Sequence, residues 1–229
     1  MYRLITAVCL LISIMGCSTG SSVAGSGYSL KGDSTIIEES LVSGLQVKLV
    51  RMSGTETNCS HGKRDHIELN GPIGPDSTYI VAKYLKMTQP CKNSSGTKVS
   101  TIVYLNSAGG LVTDGIELGK LFRKKQVSTR LFGNQQCSSS CAFAFLGGFY
   151  RTMQHDSSLM FHAPYKTSSL GQEHCASRNQ ANDLKSYYVE MVGKRIGNTL
   201  FDRTMSYCGS KEGWVINSGA AKAYGIVTD

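Results

Sequence analysis

The chain has 229 residues, of which 41% are hydrophobic, so it can bury one sizeable core but not two. Its formal charge of +8 suits a protein that works beside anionic lipid or cell-wall polymer. The basic residues are scattered, with short clusters at Lys63-Arg64 and Arg123-Lys124-Lys125. We interpret them as a solvated face and expect no nucleic-acid partner.

Residues 1–16 have the pattern of a secretory signal peptide. Arg3 precedes an apolar run, Leu4 to Met15, which is too short to span a membrane as a mature helix. The run leads into Ile14-Met15-Gly16-Cys17, which resembles the lipobox of bacterial lipoproteins, although Met15 is unusual there. The resemblance implies a periplasmic protein anchored through lipidated Cys17, and Ser18 favours the outer membrane. The alternative is cleavage near Gly16, with Cys17 an ordinary thiol.

The segment after the signal peptide divides into a tether and a short extension. Residues 17–33 are rich in Gly and Ser and predict a flexible tether. Residues 34–64 form an N-terminal strand extension, in which Leu45 to Met52 alternates as a strand does. The main domain is expected over residues 65–229.

Strands and helices alternate in the first half of the main domain. Short apolar runs predict strands, and apolar residues at helical spacing predict helices. The strands are expected over 67–69, 101–105 and 127–132, and the helices over 76–86 and 111–124. This order predicts an α/β fold with right-handed crossovers.

The run Ser138 to Ser140 lies between a predicted strand and the small apolar helix that begins at Ala142. A serine at a strand-to-helix turn has the position of a nucleophile, but serines also cap helices, and this segment alone fits both interpretations. His162 follows the short strand Leu159 to Phe161. A lone histidine there is more often structural than catalytic, whereas a histidine that occurs together with a serine turn favours catalysis.

Several of these segments resemble the Clp protease proteolytic subunit, whose motifs read Asn-Ser-Pro-Gly-Gly, Ala-Ser-Met-Gly and Ile-His-Gln-Pro. The matching segments, in the same order, are Asn106-Ser107-Ala108-Gly109-Gly110, the serine turn and Phe161-His162-Ala163-Pro164. Exported, periplasmic Clp-like proteins are similar in Cys137-x-Ser139-x-Cys141 and Gly147-Gly148-x-x-Arg151. The resemblance covers residues 65–229 and implies the ClpP/crotonase-like α/β fold, a superhelix of repeated β-β-α units with a parallel sheet.

The resemblance also implies a set of roles. Ser139 is the nucleophile and His162 its general base, while the backbone N–H groups of Gly110 and Ser140 form the oxyanion hole. Gly109 contacts the substrate, and Ser138 or Ser140 is the nucleophile if the turn is shifted. Such a site acts on peptides or proteins, or on another acyl group such as a thioester, and needs no metal or cofactor.

The acidic third member is where the sequence departs from the resemblance. Counting back from the ending Tyr224-Gly225-Ile226-Val227 places Gly213 where the subunit has its aspartate. If the alignment shifts by one residue before Trp214, the carboxylate of Glu212 takes the place of the aspartate and orients His162. The alternative is that Glu212 is a surface glutamate. Asp202 and Asp183 are weaker substitutes that fit solvated helix residues better.

Six cysteines remain once Cys9 is removed and Cys17 is lipidated, and an even set in an exported chain indicates disulfides. Proximity in the implied fold pairs Cys59 with Cys91, Cys137 with Cys141, and Cys175 with Cys208. A zinc site is a weaker interpretation because no Cys-x-x-Cys pair occurs. Cys137 as a nucleophile is also weaker, because an exposed thiol with a nearby partner would oxidise in that compartment.

Two functions from different classes therefore follow. One is an exported serine hydrolase that cleaves periplasmic peptides through an acyl-enzyme. The other is a catalytically degenerate lipoprotein that serves as a binding or scaffold module. Residues 172–205 are polar and helical in pattern. In the related subunit this region mediates oligomerisation, which implies a possible homo-oligomer, whereas a helix that only covers the core is the simpler alternative.

Overall fold

The computed structural model describes residues 33–54 and 57–228. The predicted signal peptide, nearly all of the tether and the lipidation residue Cys17 lie outside the described residues. None of the helices within the described ranges combines the length and the hydrophobicity that crossing a membrane requires.

Strands and helices alternate along most of the described chain. The strands are β1 (Asp33–Val42), β2 (Leu45–Ser53), β3 (Lys63–Asn70), β4 (Cys91–Lys92), β5 (Lys98–Val99), β6 (Ile102–Asn106), β7 (Ser128–Leu131), β8 (Gln136–Ser138), β9 (Arg151–Met153), β10 (Ser158–Phe161), β11 (Tyr165–Thr167), β12 (Glu173–Cys175) and β13 (Trp214–Asn217). The helices are α1 (Ser77–Met87), α2 (Val112–Lys125), α3 (Ser140–Leu146), α4 (Asn182–Val192), α5 (Lys194–Thr204) and α6 (Ser218–Ala223).

The main sheet has six strands in the order β1-β2-β3-β6-β7-β9. β3, β6, β7 and β9 are parallel, and helices connect most of them, as the strand and helix pattern predicted. β1 and β2 are antiparallel additions joined at Ser43 and Gly44, both with positive φ. The sequence prediction missed β1, because most of this edge strand is exposed and its apolar residues do not alternate with polar ones.

The core lies between the main sheet and the helices. In the central strands, residues 102–105 of β6 are all buried, as are Ile67 and Leu69 of β3. Every residue of α3 is buried, which explains why its sequence is apolar on almost all sides. The helix that follows the serine turn is therefore held rigidly in the centre of the protein.

The interpretation of the basic cluster at residues 123–125 as a solvated face is wrong for Arg123, which bonds to other parts of the protein. Its guanidinium is half-buried and donates hydrogen bonds of 3.0 to 3.2 Å to the carbonyl oxygens of Leu146, Gly147, Gly148 and Met191. These carbonyls lie at the C-terminal ends of α3 and α4, where no intrahelical donor remains for them. Arg123 therefore supplies hydrogen-bond donors to the carbonyl groups at the ends of two helices.

The region 172–205 is not one helix. It contains β12, and then α4 and α5, which are separated at Gly193. On α4, Tyr187, Tyr188 and Met191 are buried in the core of the same chain, as expected of a helix that covers the core. Tyr187 donates a hydrogen bond of 2.7 Å to the carbonyl of Phe143 in α3. α4 thus supports the helix that carries the serine turn.

A second sheet of three strands, in the order β13-β10-β8, completes the site. β8 and β10 are parallel, with Ser138 paired to Met160. The residues that directly follow these two strands are therefore neighbours at one edge of the sheet, where open α/β sheets bind their ligands. They are the serine turn and His162.

Candidate active site

Ser139 occupies a strained turn between β8 and α3. Its backbone has φ 54° and ψ −124°, outside the regions that a serine ordinarily adopts. Its N–H donates to the carbonyl of Met160 over 2.8 Å, which ties the turn to β10. Such a conformation costs on the order of 1 to 3 kcal/mol and is typical of functional sites, including the nucleophile turns of hydrolases. Of the three serines, Ser139 is the one in this conformation.

A disulfide encloses the serine turn. Cys137 in the middle of β8 is bonded to Cys141 in the first turn of α3, with 5.2 Å between their Cα atoms. Both residues are fully buried. Because Cys137 is in a disulfide, it has no thiolate, and it cannot act as the alternative nucleophile in this state. The bond closes the backbone on both sides of Ser139.

The glycines after β6 lie against the serine turn. Gly109 has φ 101°, and a Cβ placed on it would lie 2.7 Å from both the Ser138 carbonyl oxygen and the Ser139 Cβ. Within the described residues, the N–H groups of Gly110 and Ser140 have no hydrogen-bond acceptor. Gly110 and Ser139 line the same cavity. Two free N–H groups beside a serine are what an oxyanion hole requires.

His162 follows β10 and is only 4% exposed. Its Nδ1 lies 3.0 Å from the carbonyl oxygen of Ala163. A carbonyl only accepts hydrogen bonds, so Nδ1 carries the proton, and Nε2 of the neutral ring has a free lone pair. The ring packs against Tyr165, with 5.5 Å between the ring centroids. The imidazole is therefore held in the tautomer that a general base needs.

Ser139 and His162 both line a cavity of about 460 Å³. No hydrogen bond joins the two side chains in the described residues. Catalytic hydrogen bonds in ligand-free structures are often long and shorten when substrate binds. Among the residues that line the cavity, His162 and Tyr165 are the two with an ionisable imidazole or phenol, and none has a carboxylate, ammonium or guanidinium group. The structure thus brings together the predicted serine, histidine and glycine.

The structure does not bring Glu212 to His162. Glu212 is exposed and hydrogen-bonds to no described residue, and Gly213 packs beside Met160. Asp183 and Asp202 are also exposed, and Asp202 pairs with Arg178. Among the described residues, the hydrogen-bond partner of His162 Nδ1 is the Ala163 carbonyl and not a carboxylate.

Glu173 is a carboxylate near the site that the sequence analysis missed. The Ser210 hydroxyl and N–H donate to it over 2.6 and 2.9 Å, and these bonds, followed by the charges of Lys211 and His162, lower the pKa of Glu173. Ser210 lines the cavity. The disulfide between Cys175 and Cys208, which the implied fold had paired, holds these two segments together. Each cysteine lies two residues from Glu173 or Ser210, so this disulfide is the signal in the sequence that could have indicated their contact.

The six cysteines form the three disulfides that proximity in the implied fold suggested. Cys59 is bonded to Cys91, Cys137 to Cys141 and Cys175 to Cys208. Cys137 and Cys141 enclose Ser139, and Cys175 belongs to β12, where it pairs with the cavity-lining Tyr165 of β11.

Comparison with solved structures identifies the fold. The membrane-bound stomatin-specific protease 1510-N, as a serine-to-alanine mutant, aligns with a TM-score of 0.55 and 14% identity over 70% of this chain and 75% of that chain. Its lysine-to-alanine mutant in complex with a substrate peptide gives 0.55 and 14% over 70% and 71%. ClpP1 from Listeria monocytogenes gives 0.48 and 18% over 70% and 86%. The two alignments with the stomatin-specific protease confirm the predicted α/β fold of the Clp protease type. No family model and no curated protein matches the sequence.

Proposed function

We propose that this protein is a serine hydrolase, and specifically a peptidase, that uses Ser139 as nucleophile and His162 as general base. The observation that carries the proposal is the strained serine turn, which shares one cavity with a histidine whose Nδ1 is protonated. A serine that only capped α3 would not need a left-handed backbone, and its side chain makes no capping hydrogen bond.

The mechanism follows from the groups present. Nε2 of His162 removes the proton from the Ser139 hydroxyl as its oxygen attacks the substrate carbonyl. The negative charge that develops on the carbonyl oxygen is stabilised by the N–H groups of Gly110 and Ser140. His162 then donates its proton to the leaving amine, and water hydrolyses the acyl-enzyme through the same steps.

The Ala163 carbonyl takes the orienting role that an aspartate has in many serine proteases. It fixes the tautomer of His162 but has no full negative charge to stabilise the imidazolium. Replacing the aspartate of a protease triad by a neutral group lowers kcat by about 10⁴-fold, in part because the tautomer is then wrong. Since the tautomer here is correct, we expect a slow hydrolase and not an inactive one.

The substrate and the compartment belong to the same proposal. The substrate peptide bound to the stomatin-specific protease supports a peptide as the substrate class for this fold. The three disulfides support an oxidising compartment, consistent with export and with an anchor at Cys17. We therefore propose a periplasmic peptidase tethered to a membrane, with the outer membrane favoured.

A scaffold or binding module is the second candidate, and it is favoured because His162 Nδ1 has a carbonyl and not a carboxylate as its partner among the described residues. In that case the cavity would bind a peptide without cleaving it. The strained serine is the argument against this candidate, because a binding module gains nothing from that strain.

Labelling with a fluorophosphonate probe separates the two. The purified protein should be labelled, and Ser139→Ala should not, because the probe reacts only with an activated serine. Ser186→Ala, an exposed serine on α4, is the matched control and should be labelled like the wild type. A folded wild-type protein that takes up no label, as judged by mass spectrometry, would exclude the hydrolase.

A further inference from the structure

A second cavity of about 360 Å³ adjoins the one that contains Ser139 and His162. Ala108 and Gln136 line both cavities, so a chain that leaves the first can continue into the second. Asn70 and Asn106 line its other side. They are neighbours because β3 and β6 are parallel and paired in register at these residues, where both strands end.

The hydrogen bonds of this second cavity leave unused amide groups. Asn106 Nδ2 donates to Asn70 Oδ1 over 3.0 Å, which fixes the orientation of both side chains. The bond leaves the Nδ2 group of Asn70 as a donor and the Oδ1 of Asn106 as an acceptor. Within the described residues, neither group has another partner, and the side-chain amide of Gln136 has none. The cavity therefore presents both donors and acceptors at short range.

The lining also limits which side chain could occupy the cavity. No charged residue lines it, so a charged side chain would find no opposite charge there. An apolar side chain would displace water from the amides and leave them unpaired, which is also unfavourable. A carboxamide offers one acceptor and two donors, complementary to Asn106 and Asn70.

We propose that this cavity is a specificity subsite that binds the carboxamide side chain of a glutamine or asparagine in an extended peptide whose neighbouring residues occupy the catalytic cavity. The inference rests on the proposed function in taking the substrate to be a peptide. It adds the class of residue that the peptide must contain, which the catalytic groups alone do not specify.

Binding to the inactive Ser139→Ala variant tests the subsite separately from catalysis. The probes are fluorescein-labelled alanine- and serine-based peptides that carry a single Gln, Leu or Glu at each position in turn. Fluorescence anisotropy should show one position at which the Gln peptide binds about tenfold tighter than the Leu or Glu peptide. A tenfold difference in Kd corresponds to the net binding free energy of about one or two hydrogen bonds. Equal affinity for the three at every position, including no binding of any of them, would overturn the proposal.

Variants of the subsite provide the second arm. In the Ser139→Ala background, Asn106→Leu should reduce the preference for Gln over Leu to about twofold or less, since the acceptor is lost. Gln136→Ala, at an exposed position, should weaken binding of the Gln peptide. It provides the test of the subsite if Asn106→Leu does not fold. Asn182→Leu on α4 is the matched control and should keep the full preference. A preference that survives both Asn106→Leu and Gln136→Ala would exclude this cavity.

Peptide hydrolysis by the wild-type protein is a separate readout. If the wild type cleaves no peptide but Ser139→Ala shows the dependence on Asn106 and Gln136, the hydrolase proposal fails and the subsite remains. If cleavage occurs with no preference for Gln at any position, the subsite fails and the hydrolase proposal remains.

Discussion

Substitution of Gly109 by alanine should displace the serine turn and lower both the reactivity of Ser139 and the stability of the protein. The new methyl carbon would lie 2.7 Å from the Ser138 carbonyl oxygen and from the Ser139 Cβ, and 3.2 Å from the Ser140 nitrogen. Contacts under 3.0 Å are repulsive, and both of the closest atoms belong to the turn itself, which the neighbouring disulfide keeps from moving freely. The turn must therefore shift away from the position that the nucleophile needs.

The magnitude has two parts, and a control separates them. Gly109 has φ 101°, and an L residue with positive φ loses about 1 to 2 kcal/mol. Overpacking adds about 1 to 3 kcal/mol, so we expect Gly109→Ala to lose about 2 to 5 kcal/mol of unfolding free energy. Gly96 has φ 81° with no atom within 4 Å of its added Cβ, so Gly96→Ala should lose only the conformational part.

Urea unfolding measures the stability of both variants, and the rate of fluorophosphonate labelling measures the nucleophile. Gly96→Ala should be labelled at the rate of the wild type, whereas folded Gly109→Ala should be labelled at least tenfold more slowly, because small displacements of reacting groups are costly. Labelling of folded Gly109→Ala at the wild-type rate would refute the argument that this glycine positions Ser139.

Three further predictions follow from the described contacts. Replacing Cys137 and Cys141 together by alanine should lower the unfolding free energy by about 2 kcal/mol, which is the loop entropy for a separation of 4 residues. The replacement should also slow fluorophosphonate labelling of Ser139 in non-reducing buffer. An unchanged labelling rate would show that the disulfide does not position the serine. Arg123→Met should lower the unfolding free energy by about 1.5 to 3 kcal/mol in urea titrations, since the helix-end carbonyls lose a half-buried charged donor. A loss under about 0.5 kcal/mol would contradict that role. The lowered pKa of Glu173 contributes stability that is present above the ordinary carboxyl pKa of 4.5 and is lost as the pH falls below it. Ser210→Ala removes one of the bonds that lower this pKa, so the unfolding free energy measured in urea should depend less on pH in that range. An unchanged pH dependence would argue against the bond.

Local sequence determined the elements and the order of the site. The β-branched and apolar runs predicted β6 and β7, and the helical spacing predicted α1 and α2, because side-chain periodicity follows the backbone that buries one face. The serine run and His162 were recognisable because each follows a short strand, and the glycines that meet them follow β6. These features depend on residues a few positions apart, which a sequence displays directly.

Only the tertiary structure decided which atoms meet. Three consecutive serines fit the turn equally well in sequence, and the backbone conformation distinguishes Ser139. Glu212 was a reasonable partner for His162 by counting, yet the Ala163 carbonyl has that place. Glu173 reaches Ser210 across 37 positions, and Asn70 reaches Asn106 across 36. Contacts of this kind depend on the path of the whole chain, because loop closure and packing, rather than local propensity, determine which distant segments become neighbours.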